Sequence, residues 1–423
     1  MVLAAAAIGC APRTRRTPDD TVVVLVEAPM TTSDPRAGVT NLDGKLARIV
    51  ASGLTAVDTQ SLVPRLELAS KIEPAGDLAI DVTLREDARF SDGSPVTAAD
   101  VAGTYMDILA PASTSASHTM LSDRFSSVEA VGPRVARFHL KAPLATFESD
   151  VDFPIISFHG GTPQGGHTIG AGPYRLRELT QAAAYLEPNP YYFGEKPKLP
   201  NVEIKFVRDA AARLLMLVGG SADLIQNAVR LDLVAQVRDR SRVHVESSPG
   251  VILTYLMMNN EDPVLSQRKV RQAIALALDR PAIIAAKLPH LASLATGLLP
   301  PQHWAYNGDV PRWDHDLALA RQYLDDAGLR DPDGDGPAPR LHLVYKTSAD
   351  AFRVAIARVI AAQLAEVGIE VEVRSFEFAT FYADIKKGAY QIASMQTAEI
   401  TEPDYYYMYF HSSWIPTPAN PDG

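Results

Sequence analysis

A hydrolytic site needs a nucleophile with a base beside it, and a metal site needs ligands at close spacing. The sequence offers neither pattern. It contains no G-x-S-x-G and no H-E-x-x-H, and its ten histidines are scattered, with His290, His303 and His315 off ligand spacing. Asp331-Pro332-Asp333-Gly334-Asp335-Gly336 opens like a calcium loop, but the twelfth position, where a bidentate Glu belongs, is His342. A Gly- and Asp-rich turn between helix and strand is the expectation there, and no cofactor or metal is expected. Six of the thirteen residues from Gly160 to Gly172 are glycine, yet no Lys-Ser/Thr pair follows. The stretch therefore reads as backbone that must approach something closely, not as a phosphate cradle. The chemistry on offer is recognition. Glu399, Glu402 and Asp404 stand among Tyr405, Tyr406, Tyr407, Tyr409 and Phe410. Carboxylates can receive an ammonium group while rings cover apolar groups or a cation. An aromatic core segment with solvated acids is the competing reading of the same residues.

Composition narrows the setting. A chain of 423 residues is too long for one ordinary core, so two or three packed units are expected. With 47% hydrophobic and 21% charged residues it can bury them. A formal net charge of −10 and the lack of a Lys/Arg block argue against nucleic acid as a partner. The single cysteine, Cys10, excludes an internal disulfide. It follows the short apolar stretch Val2 to Gly9, which resembles the end of a bacterial lipoprotein signal. Two features depart from such signals: Ala7 stands where Leu is usual, and no basic segment precedes it. The resemblance implies a lipidated Cys10 and membrane attachment through acyl chains, at about 0.8 kcal/mol per buried methylene. No segment approaches about eighteen uninterrupted apolar residues, so no membrane-spanning helix is expected.

Elements able to position a site can be read from periodicity. Thr21–Val26 is a β-branched run, and Leu78–Leu84, Val135–Leu140 and Val202–Val207 alternate or cluster as strands do. Leu42, Leu46, Ile49 and Val50 share helical spacing, and Thr97 with Asp100 forms a capping box ahead of another helix. In the second half, Ile252–Met258 is strongly apolar. Three helical stripes follow, through Val270 to Leu278, Leu317 to Ala327 and Ile356 to Val367. The last ends at Gly368 and leads into Ile369-Glu370-Val371-Glu372-Val373, the αβ unit of a mixed sheet.

Four stretches in order resemble the extracytoplasmic solute-binding proteins of family 5, the peptide- and nickel-type importer receptors. They are Phe90-Ser91-Asp92-Gly93-Ser94-Pro95-Val96-Thr97-Ala98-Ala99-Asp100-Val101; Gly170-Ala171-Gly172-Pro173-Tyr174; Asn259 twelve residues before Arg271; and Gly368 to Val371 with Gly388-Ala389-Tyr390 and the acidic-aromatic segment. Asn189-Pro190-Tyr191-Tyr192 and Gly220-Ser221-Ala222-Asp223 fall between in the same order. The resemblance implies an α/β, two-lobed periplasmic-binding-protein fold, type II-like and of the large cluster C kind. It has an extra subdomain in lobe I and a hinge between the lobes. Residues 1–19 would be signal and tether, 20–40 and 165–255 lobe I, 41–164 its subdomain, and 256–423 lobe II. Lobe II is expected to be incomplete, because the family's chain normally continues past this point. The implied function is capture of peptides or similar small solutes in an interlobe cleft, outside the cytoplasmic membrane, for delivery to an ABC permease. A non-enzymatic monomer in the periplasm or cell envelope is expected. Receptors for nickel chelates, haem or oligosaccharides are the alternatives, ahead of a secreted hydrolase or a periplasmic chaperone or sensor domain. Relatives hold a ligand's α-ammonium with a cleft aspartate, and the match places Glu399 there. Tyr405, Tyr406, Asn259 and Gly172 are further ligand-binding candidates.

Overall fold

The computed structural model describes residues 16–58, 61–158, 168–229, 231–238, 240, 243–334, 336–397, 400 and 403–415. The chain divides into two compact units, Met1–Glu246 and Ser247–Gly423.

The first unit is built on a five-stranded sheet. Its order is Leu224–Ile225, Thr21–Val26, Asn201–Phe206, Ala183–Pro188, Tyr174–Leu179. The first three strands run parallel, and Ala183–Pro188 pairs antiparallel with both of its neighbours. The valine run is continuous because both faces are covered. Val23 and Leu25 pack with Ala222, while Val24 and Val26 join Leu46 and Val50 of helix Asn41–Val50. That helix therefore packs on the main sheet. A second core of this unit lies under a four-stranded antiparallel sheet ordered Ala69–Gly76, Ala79–Leu84, Val135–Leu140, Phe125–Ala130. Helix Ala98–Leu109 lays Val101, Tyr105 and Ile108 on it, with Tyr105, Phe125, Phe138 and Phe147 meeting edge to face.

Most of the first signature is spent on this packing. Phe90 is fully buried, Ser94 closes the turn on Asp92, and the Thr97–Asp100 box starts the helix. The other Asp100 oxygen accepts the Phe158 amide at 2.9 Å.

The second unit carries a four-stranded sheet ordered Leu253–Met258, Ile392–Thr397, Leu341–Ser348, Ile369–Phe376. Leu253–Met258 pairs with Ile392–Thr397 inside the unit Ser247–Gly423. One face is covered by helices Arg268–Ala277, Leu317–Asp326 and Ala351–Ala365, whose apolar stripes meet Leu343, Tyr345 and Ile392. The stop at Gly368 is conformational: its φ is +81°, which a side chain strains. Helix Phe378–Lys386 follows Ile369–Phe376 and lies over the other face, where Lys346 reaches Asp384 at 2.7 Å.

Candidate functional site

In the second sheet the central strand Leu341–Ser348 is followed by helix Ala351–Ala365 on one face. Its neighbour Ile369–Phe376 is followed by helix Phe378–Lys386 on the other, and the chain then returns to the far side of Leu341–Ser348 as Ile392–Thr397. This is a topological switch point. Helices leaving a sheet in opposite directions open a crevice beyond the carboxyl ends of the strands, where open α/β sheets bind ligands. The residues at that edge are Thr347, Ser348, Gln396 and Thr397, joined by the first turn of the 15-residue helix. Asp350 caps the helix, accepting the Arg353 amide at 3.0 Å, and the Arg353 guanidinium donates to Gln396 Oε1 at 2.7 Å.

Beside this polar floor stands an aromatic wall. The short helix Tyr405–Phe410 is held to the sheet by the Tyr409 hydroxyl, which donates to Thr397 Oγ1 at 2.6 Å. The Tyr409 ring meets Tyr255 edge-on at 6.0 Å and lies 6.2 Å from Tyr405. Burial, then donation of its own proton to Tyr409, pushes the Tyr255 phenol far above its usual range, so the ring stays neutral. Tyr382 and Tyr390 add to that effect from nearby. Tyr382 stacks on Phe378 at 5.9 Å, and both rings are exposed. A row of exposed rings beside buried hydroxyls and one guanidinium suits an organic solute with apolar and charged parts.

The candidates from sequence fall into three groups. Tyr405 and Tyr406 are on the wall; Tyr406 is 44% exposed, and its hydroxyl stands against Gly297. Asn259 and Gly172 are each engaged within the chain. Asn259 Nδ2 donates to the Gly388 and Tyr390 carbonyls at 3.0 and 3.1 Å, and its Oδ1 accepts the Glu261 amide. The Gly172 amide donates to the Val50 carbonyl at 2.9 Å, and its own carbonyl accepts from Asn189 Nδ2. Glu399 and Cys10 lie outside the described residues, as does Glu402. The calcium-like turn is held by Asp333, which accepts the Ala338 amide at 3.0 Å, while Asp331 faces Arg340. Among the described residues no group of three His, Cys, Asp or Glu side chains is placed to hold a metal ion. Sequence reasoning passed over Arg353, Thr347, Gln396 and Tyr255. Arg353 and Thr347 had a readable signal, a strand running through Thr347-Ser348 into the helix cap Asp350.

In the first unit the parallel strands end at Val26, Phe206 and Ile225. The edge there is fastened by Arg213, a buried cation that donates to the Val207, Arg208 and Ala228 carbonyls.

The profile of the bacterial extracellular solute-binding proteins, family 5 (middle region), matches residues 63–416. The chain belongs to that family. This family 5 protein is 28% identical to a probable di/tripeptide-binding protein 5 of Pseudomonas aeruginosa, over 78% of the chain and 66% of that protein. It is also 28% identical to the oligopeptide-binding protein AppA of Bacillus subtilis, over 88% of the chain and 72% of AppA. The chain thus spans about two-thirds of the length of the first of these relatives. The solved structure of AppA in complex with a nonapeptide shares its fold, with a TM-score of 0.74 at 27% identity, covering 93% of this chain and 82% of that one. NikA of Brucella suis, in complex with Fe(III)-EDTA, gives a TM-score of 0.81 at 23% identity, over 96% and 84% of the two chains. At that identity the likeness concerns the fold. No helix among the described residues is long and apolar enough to cross a membrane.

Proposed function

We propose that this family 5 protein captures peptides, or solutes of similar size and chemistry, outside the cytoplasmic membrane and passes them unchanged to an ABC permease. One observation carries the reading: the switch point of the second sheet joins a polar floor at Arg353, Thr347 and Gln396 to an exposed wall of tyrosines. Rings bind apolar side chains with little entropy cost, and polar groups at strand ends bind a backbone whose sequence varies, which a receptor of many peptides requires. The relatives named for di- and tripeptides and for oligopeptides support the same ligand class.

Within this reading Tyr405 and Tyr406 contact the solute and Glu399 receives its ammonium group. Glu keeps the charge of an aspartate and reaches one methylene farther, so the ammonium sits farther from the backbone. Asn259 and Gly172 hold the frame. Cys10 is the lipidation site that tethers the protein to the membrane surface, and the protein acts as a monomer. Isothermal titration calorimetry against defined di- to nonapeptides tests the assignment. Micromolar or tighter binding without cleavage is expected, and heat from turnover, or no binding across the set, contradicts it.

A further inference from the structure

Helices Arg280–Lys287 and Leu317–Asp326 are joined by residues 288–316, which form neither helix nor strand. Connections beyond about 12–15 residues without secondary structure are uncommon in compact units and are mostly functional. This one is fastened to the carboxyl edge of the second sheet at two places. Gly297 lies against the wall: a Cβ added there would stand 2.9 Å from the Tyr406 hydroxyl. Gln302 Nε2 donates to the Gly250 carbonyl at 3.2 Å, just ahead of Leu253, which pairs with Thr397. Thr397 in turn accepts from Tyr409. The segment that carries both ties therefore borders the crevice on the side of the tyrosines.

That segment is tightly folded. The His303 amide donates to the Pro300 carbonyl at 2.9 Å and the Tyr306 amide to the His303 carbonyl at 3.0 Å, two turns in succession. The Thr296 and Tyr306 hydroxyls meet at 2.9 Å and close the loop. Leu299 and His303 are buried, and His303 Nδ1 accepts the Ala305 amide at 3.0 Å. Trp304, between His303 and Ala305, is 62% exposed, and its ring centroid lies 5.3 Å from that of His303. Tryptophan is highly buried on average, so a large ring held outward by a buried frame asks for a reason. Binding surfaces present their aromatic anchors in this way. Because the turns order the backbone before any ligand arrives, contact with the ring costs little conformational entropy.

We propose that Trp304 is a specificity-determining ring of the solute site, covering a large apolar or aromatic side chain of the captured peptide alongside Tyr406. Contact removes apolar area of both partners from water, and an aromatic side chain adds ring-to-ring attraction. The protein therefore prefers peptides that carry such a side chain over the same peptides with alanine in its place. The inference rests on the solute-capture reading above and adds the side-chain class that the site selects.

The test is calorimetry on the full chain with Ala-Ala-Ala and its three single-phenylalanine relatives, Phe-Ala-Ala, Ala-Phe-Ala and Ala-Ala-Phe. At least one of the three is expected to bind about tenfold more tightly than Ala-Ala-Ala. Trp304→Ala should bring that peptide to the level of Ala-Ala-Ala and leave Ala-Ala-Ala unchanged, a coupling that a purely structural role would not produce. Trp304→Phe should keep most of the preference. The side chain is exposed, so neither substitution disturbs the core. Trp313 and Trp414 are the other two tryptophans. With both changed to Phe, the emission of Trp304 should move to shorter wavelength when the preferred peptide is added, as the indole leaves water. Equal binding of all four peptides, an unmoved emission, or a Trp304→Ala loss shared by Ala-Ala-Ala overturns the role of Trp304 and leaves the peptide reading standing. Failure of all four to bind overturns the peptide reading and the role of the ring with it.

Discussion

Gly172 lies directly on the end of helix Asn41–Val50. Its amide donates to the Val50 carbonyl at 2.9 Å, and a Cβ in its place would stand 2.5 Å from the carbonyl carbon of Val50. Gly170 and Gly172, at the described end of the glycine-rich stretch, do bring the backbone close to something, and that something is the protein's own helix end. Gly172→Ala should destabilise the first unit by about 3 kcal/mol, since neither backbone can yield without moving the sheet. Urea unfolding measures this, and a loss under about 0.5 kcal/mol would contradict the close packing.

Asp43 gives the first unit a dependence on acid. Its carboxylate is buried, which by itself raises the pKa. The Thr31 and Thr32 amides and the Thr31 and Thr40 hydroxyls outweigh that and hold the group below its usual range. A depressed carboxylate stabilises the fold above its unfolded-state pKa and loses that contribution as pH falls through the folded value. Stability should therefore decline below about pH 4, and Asp43→Asn should flatten that part of the profile. Chemical denaturation between neutral and acidic pH measures both.

The Tyr255–Tyr409–Thr397 relay makes the wall sensitive to base and to a single hydroxyl. A phenol whose pKa is raised by folding contributes stability that is fully present below about pH 10 and lost as pH rises through the folded value. Tyr409→Phe removes the acceptor of Tyr255 and the donor to Thr397 together, at a cost of about 1–2 kcal/mol. Spectrophotometric titration of the tyrosines should then show one phenol returning toward ordinary ionisation.

Much of this frame was legible in the sequence. Gly368 announced the end of one helix and the start of a strand, and Thr97 with Asp100 announced the cap, because both are local rules of backbone geometry. The candidate site was legible only where residue type betrays it, as at Tyr405 and Tyr406. Arg353, Thr347 and Ser394 come together through strand order, with Ile392–Thr397 lying beside Leu341–Ser348 and not beside its predecessor in the chain. That pairing leaves no periodic trace. Helix Phe378–Lys386 carries Phe378, Phe381, Tyr382 and Ile385 at helical spacing, yet buries only Phe381 of them.

Glu399→Gln isolates the charge assigned to the ammonium. Affinity for a peptide with a free amino terminus should fall about tenfold, while its N-acetylated counterpart should be unaffected. Equal losses for both peptides would point to a structural effect instead.

Cys10→Ser tests the tether. The variant should leave the membrane fraction and appear in the soluble envelope fraction, because acyl chains supply the attachment in this account. Retention on the membrane would require another anchor.

The most direct measurement is native mass spectrometry of the protein purified from its own host. Capture without conversion predicts complexes heavier than the chain by the masses of intact peptides, released unaltered on denaturation and restored when the same peptides are added back. A protein that emerges empty and takes up no peptide, or one that returns fragments of what it was given, would contradict it.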